Sequence, residues 1–264
     1  MQHLKTSITV ILLTIVFTGV LSFEVILPYE TVAIVDAEDV VEEAIDDLTE
    51  EETPTEEDPI VIDENAKVVY LTFDDGPSPD VTSHILDILK EYNIQATFFV
   101  IGNLAEQHPD ILLRTWEEGH LVGNHTYTHN FRHIYGNPQN FLDEVERTDE
   151  VFSSILGTDY YKSKFIRFPG GSFGKRLQPF RQAVGEAGYI SIDWNVVTGD
   201  AEGHRVSPQK QLTRLQETLQ NKKEAIVLMH DSNTKQTTVE ALPEIIDYLI
   251  SQDYVFKTLK DYEF

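Results

Sequence analysis

The sequence predicts an α/β fold, a distorted (β/α) barrel of about seven parallel strands with its active site at the C-terminal strand ends. Three observations lead there. From about Pro59 onward, short runs rich in β-branched and aromatic residues alternate with amphipathic helical stretches. Seven runs of the first kind are separated by six of the second, the pattern of parallel strands joined by right-handed crossovers. Packing so many units into about two hundred residues suits a closed or nearly closed barrel better than an open sheet.

Along the chain, residues 68–73 form the first apolar run, which stops on Asp74-Asp75-Gly76-Pro77. The first helix, 79–92, opens on Ser78-Pro79-Asp80, residue types that cap and start helices. A strand at 97–101 precedes a helix at 109–118, which Gly119 ends, and a strand at 121–124 precedes a helix at 138–156, which Gly157 ends. Strand 165–168, helix 177–187 with Gly188 behind it, strand 189–193 and helix 207–220 continue the alternation. Strand 225–228, helix 238–251 and strand 254–258 complete it.

The segment before Pro59 is of another kind. Residues 8–23 are uncharged and mostly apolar, with the few cations ahead of them, and residues 1–28 read as a signal peptide or membrane anchor that exports the rest of the chain. Residues 29–62 read as an acidic tether. Between Asp36 and Asp58 roughly half of the residues are Asp or Glu and none is Lys or Arg, so little apolar surface is available to offset ordering entropy. Residues 63–264 are left for the folded domain. A net charge of −25 excludes nucleic acid as a partner, and the absence of cysteine excludes disulfides, thiolate ligands and a cysteine nucleophile. The expected product is an exported monomer at the outer face of a bacterial envelope.

In a β/α barrel, chemistry belongs at the C-terminal strand ends. Read in order, those ends carry Asp74-Asp75, then His125 and His129, Arg167-Phe168-Pro169-Gly170, Asp193-Trp194, and Leu228-Met229-His230. The spacing of His125 and His129 would put both imidazoles on one face of a helical turn. Two histidines and a carboxylate from another strand end would leave open positions on a divalent metal, as a catalytic site requires. One of the two adjacent aspartates would then be a ligand, and the other would stay ionised beside the cation. Alternation along an extended chain points the pair opposite ways, which suggests different roles.

The stretches TFDDGP, HTYTH, RFPGG, DW and LMH resemble the five ordered motifs of the polysaccharide deacetylases, carbohydrate esterase family four, over roughly residues 68–256. The resemblance implies a metal-dependent hydrolase that removes acetyl groups from N-acetylated amino sugars. It implies Asp74 as general base and Asp75, His125 and His129 as metal ligands. Water acidified by the cation would give its proton to Asp74 and attack the acetamide carbonyl. Arg167 would orient the base. A backbone N–H at Gly170, where many relatives carry Tyr, would help hold the oxyanion, although a ring able to cover the sugar is missing there. His230 would be the general acid, held and raised in pKa by Asp193. Trp194 and Leu228 would wall the pocket for the acetyl methyl. Zinc is the default metal, with cobalt, nickel and manganese suited to the same ligands.

Taken singly, His230 reads equally as a core histidine, Trp194 and Leu228 as core residues, and Arg167 as the partner of a surface acid. Their order along successive strand ends makes them a set. His84, His108, His120, His133 and His204 fall outside the motifs and read as structural; Asn124 and Asp200 lie near them without a role. A haloacid-dehalogenase-type phosphatase needs its aspartates one residue apart, and a two-histidine, one-carboxylate iron oxygenase needs an antiparallel sandwich. A wall-glycan-binding relative without activity would need neither Asp74 nor His230. Export beside a membrane favours peptidoglycan N-acetylglucosamine as substrate, with chitin oligomers or poly-N-acetylglucosamine next.

Overall fold

Alternate residues of the first strand, β1 (Lys67–Gly76), enter two different cores, and this sets the architecture. Val69, Leu71 and Phe73 pack outward beneath helices, while Tyr70 joins Phe99, Ile192, Ile226 and Leu259 inside the curl of the sheet. Asp74 continues the inward series Tyr70, Thr72, so the strand's own period of two aims it at the interior. The computed structural model describes residues 66–157 and 164–263. The expected anchor at 1–28 and tether at 29–62 lie outside the described residues, among which no helix is long and apolar enough to cross a membrane.

Among the described residues, eight strands form one parallel sheet: β1, β2 (Thr97–Val100), β3 (Leu121–Asn124), β4 (Phe165–Ile166), β5 (Ile190–Ser191), β6 (Val196–Val197), β7 (Glu224–His230) and β8 (Tyr254–Phe256). Their order is β5-β4-β3-β2-β1-β7-β6, with β8 beside the start of β1. The expected barrel is therefore present, with eight strands in place of about seven. The strand read at 189–193 is really β5 alone, and the two-residue β6 follows it after a short link.

That link makes the sheet nearly closed. β5 and β6 are its two edges, yet only residues 192–195 separate them. The Ile192 N–H donates to the Ile166 carbonyl on one edge, and the Asn195 N–H donates to the Ile226 carbonyl on the other. Four linking residues extend to about 14 Å at most, which brings the edges close together.

Eight α-helices among the described residues surround the sheet: α1 (Val81–Glu91), α2 (Gly102–Gln107), α3 (Pro109–Glu117), α4 (Phe131–Ile134), α5 (Pro138–Leu156), α6 (Gln178–Glu186), α7 (Pro208–Leu219) and α8 (Gln236–Ser251). Two of them, α2 and α4, are too short to announce themselves by periodicity. The apolar faces of α1 and α8 supply Ile85, Leu86, Leu89, Leu242, Ile245, Ile246 and Leu249 to the outer core. Each such side chain contributes about 1.5–3 kcal/mol by leaving water. The Ser78-Pro79-Asp80 stretch does start α1, through Ser78. Asp80 makes no capping bond, and the Ser78 hydroxyl accepts from the Thr82 N–H instead.

Candidate active site

The site begins where β1 stops being a regular strand. Its register with β2 shifts between Asp74 and Gly76, and Asp75 takes a φ of 76°. That left-handed turn cancels the expected alternation. The two carboxylates do not point apart: Asp74 Oδ2 lies 3.9 Å and Asp75 Oδ1 3.4 Å from the same His125 Nε2. A non-glycine residue held at positive φ costs of order 1–3 kcal/mol, so the surroundings must enforce it.

His125 and His129 also converge, but not from a helical turn. They sit on the irregular loop after β3, with φ of 67° at Thr126 and 55° at His129. Buried Glu144 of α5 shapes this loop, its carboxylate accepting from the N–H groups of Tyr127 and Thr128 and from the Thr128 hydroxyl. Asn124 fixes the turn from below: its side-chain oxygen accepts from the Thr126 N–H, and its amide donates to Asp149 and to the Val145 carbonyl. His125 Nδ1 contacts the Arg167 carbonyl at 2.8 Å, which leaves Nε2 facing the aspartates. Asp75 Oδ1 is then 3.2 Å from His129 Nε2.

Arg167 is fully buried and reaches across the interior. Its Nη1 donates to Asp74 Oδ1 at 2.9 Å and to the Thr72 hydroxyl, and its Nε donates to the Ile192 carbonyl. The guanidinium lies over the Phe99 ring, 4.2 Å from its centre. Burial lowers the Arg167 pKa, and the Asp74 charge and hydrogen bond oppose that shift. Two residues on from Phe168, Gly170 is exposed with φ of 77°, and its N–H has no partner among the described residues.

Asp193 does not hold His230. Its carboxylate accepts from the Ser172 N–H at 2.8 Å and from the Ser172 hydroxyl at 2.6 Å, clamping the loop that carries Gly170. The partner of His230 is Asp200, whose Oδ1 lies 2.9 Å from Nδ1 and whose Oδ2 accepts from the His230 N–H at 2.8 Å. Thr238 donates to the same Oδ2. The physical reason is strand placement. Asp193 precedes β6 and Asp200 follows it, so only Asp200 emerges at the C-terminal end of β6 beside β7. Burial lowers the His230 pKa, but the Asp200 hydrogen bond and charge, with Asp74 and Asp75, push it up to about 9. Half-buried Trp194 lies against Arg167, and Leu228 shares the inward face of β7 with His230.

Asp75, His125 and His129 offer ligand atoms that all lie within 4.8 Å of one another. Asp75 Oδ1 is buried and accepts no hydrogen bond, which is costly unless a cation takes its lone pairs. Burial pushes the Asp75 carboxyl up, but the neighbouring His125, with His129 and His230, holds it well below the usual carboxylate range. One carboxylate and two imidazoles form a three-ligand set of the catalytic type, suited to a divalent metal with room for substrate. Beside it stand a carboxylate fixed by an arginine and a histidine fixed by a carboxylate, the parts of a general base and a general acid.

Known proteins share this arrangement's sequence and fold. The family model described as Polysaccharide deacetylase matches residues 62–191. A peptidoglycan-N-acetylglucosamine deacetylase of Bacillus cereus is 36% identical over 199 residues, covering 74% of this chain and 68% of that protein. Among solved structures, a Streptococcus mutans CE4 esterase aligns with a TM-score of 0.68 at 34% identity, over 74% of this chain and 86% of that one. The catalytic domain of a peptidoglycan N-acetylglucosamine deacetylase from Eubacterium rectale gives 0.66 at 32% identity, over 75% and 90%.

Proposed function

The chain belongs to the polysaccharide deacetylase family, and we propose that it is a metal-dependent hydrolase removing acetyl groups from peptidoglycan N-acetylglucosamine. The observation that carries this reading is the cluster of Asp75, His125 and His129, flanked by Asp74 on Arg167 and by His230 on Asp200. A divalent cation held by the cluster, zinc by default, would polarise the acetamide carbonyl and acidify water. Asp74 accepts the proton of the attacking water, whose oxygen forms the new bond to the acyl carbon. Arg167 keeps Asp74 ionised and aimed. The free Gly170 N–H receives the negative charge that grows on the carbonyl oxygen. His230, its Nδ1 fixed on Asp200, presents Nε2 and protonates the amine as the C–N bond breaks. Acetate and a free amino sugar result.

The choice of peptidoglycan rests on the names of the relatives and on the apolar and acidic segments before residue 63, which favour an exported protein held at a membrane. Acetate release from peptidoglycan, chitin oligomers and β-1,6-linked poly-N-acetylglucosamine tests it. We expect release from peptidoglycan, lost on chelation and restored by zinc. Full activity after chelation, with metal absence shown by elemental analysis, would refute metal dependence. Release from chitin oligomers alone would move the substrate, and no release from any glycan would favour an inactive wall-glycan-binding relative. Recovery of a mature N-terminus near Phe23 would indicate a cleaved signal peptide in place of an anchor.

A further inference from the structure

Among the described residues, only two phenylalanine, tyrosine or tryptophan side chains are exposed, Phe131 at 50% and Phe173 at 57%. Both stand at the mouth of the site, each against one of two successive glycines. A Cβ on Gly170 would meet the Phe131 ring at 3.2 Å, and a Cβ on Gly171 would meet the Phe173 ring at 2.5 Å. The glycines have φ of 77° and 88°. Neither ring is adrift. Phe131 lies edge-on to the ligand His129 at 5.3 Å and 81°, and Phe173 lies edge-on to Trp194 at 5.5 Å and 87°.

Each ring forgoes much of the burial a phenylalanine gains in a core, and both are left half in water against the Gly170-Gly171 peptide. A pyranose ring has one face of C–H bonds apolar enough to lie on an aromatic ring while its hydroxyls stay hydrated. We propose that Phe131 and Phe173 form an aromatic clamp that grips the sugar rings of a glycan on either side of the Gly170-Gly171 peptide. The clamp rests on the deacetylase reading above and adds to it the residues that select a chain of sugars over a single one. Position 170 lacks a ring of its own, and Phe131 brings one to the same place from the loop after β3.

The test is initial-rate acetate release from N-acetylglucosamine oligomers of one to six units, paired with calorimetric binding of the same oligomers. Phe131→Ala and Phe173→Ala should each raise KM roughly tenfold on the longer oligomers, with kcat within about twofold, and flatten the gain of affinity with length. Phe131→Trp and Phe173→Trp should restore most of it. Val255→Ala, an exposed apolar residue on β8, should change nothing. Unchanged KM and unchanged calorimetric affinity in both alanine variants would overturn the clamp even if the wild type releases acetate. Absence of release by the wild type, with oligomer binding that still depends on the two phenylalanines, would overturn the deacetylase reading and leave the clamp standing.

Discussion

Two buried histidines stand at the two ends of the same four-residue strand. His120 precedes β3 and His125 follows it, and they are 4% and 2% exposed. Burial and sequence neighbourhood are alike, and the outcomes are opposite. Desolvation brings the His120 pKa down to about 4, Nδ1 accepts from the Ala96 N–H at 3.1 Å, and the ring packs edge-on against Phe98. Desolvation also lowers that of His125, but Asp74 and Asp75 overcome it and raise the pKa. The end carrying His120 holds a cavity of about 670 Å³ lined by Trp116, Leu121, Phe165, Ile190 and two lysines, with no carboxylate. Burial beside a large hollow thus leaves the His120 imidazole neutral, while carboxylates from a neighbouring strand reverse the shift at His125.

The sharpest way to break this comparison is to remove those carboxylates one at a time. Asp74→Asn should retain metal and lose turnover by about 10²–10⁴-fold, the scale of a general base. Asp75→Asn should lose the metal itself, since the only anionic ligand is gone. Metal content and acetate release measured side by side check the pair, and equal metal loss in both would reverse the assignment.

Exchanging the histidines comes next. His125→Ala should abolish metal binding and activity. His120→Ala should keep both and cost about 1–3 kcal/mol in urea unfolding, because the Ala96 N–H loses its acceptor in a buried place. Loss of metal in the His120 variant would sink the distinction between the two ends.

A smaller effect tests the acid. As the proposed acid, His230 must be protonated, and its raised pKa keeps the proton until pH rises through about 9, so activity should fall above that point. Asp200→Asn removes the partner and should move this alkaline limb down by a unit or more. Asp193→Asn should leave the limb in place while raising KM, because it loosens the Ser172 clamp. The smallest change should come from Glu144→Gln, which keeps most of the loop's hydrogen bonds. A severalfold drop in metal affinity, read by competition with a chelator, is the expected size.

The sequence made most of the site legible because strand ends in a β/α barrel converge. Asp74, Asp75, His125, His129, Arg167 and His230 each follow or close a strand that periodicity could detect, and all six meet. Asp200 has no role legible in the sequence because β6 is only Val196–Val197, too short to read, and the apolar run before it ends at Asp193. A turn-like Thr-Gly before Asp200 was the one available signal. Glu144 escaped for another reason: inside a 19-residue helix it looks like a solvated surface charge, and only the packing of α5 under the loop reveals it. The aspartates converge against the alternation of an extended chain because of the left-handed φ at Asp75, which an aspartate tolerates but does not announce.

The short link between the sheet's two edges gives the site unequal mechanical halves. Asp74 lies near the end of the central strand, which pairs with β7 from Val68 to Asp74 and on its other side with β8 and β2. Asp200 comes after an edge strand with two paired residues. Amides of β1 should exchange with solvent only on global unfolding, whereas those of β5 and β6 should exchange through local fraying. A base at Asp74 would thus be bolted to the slowest-exchanging part of the molecule. An acid at His230 would lean, through Asp200, on its loosest seam.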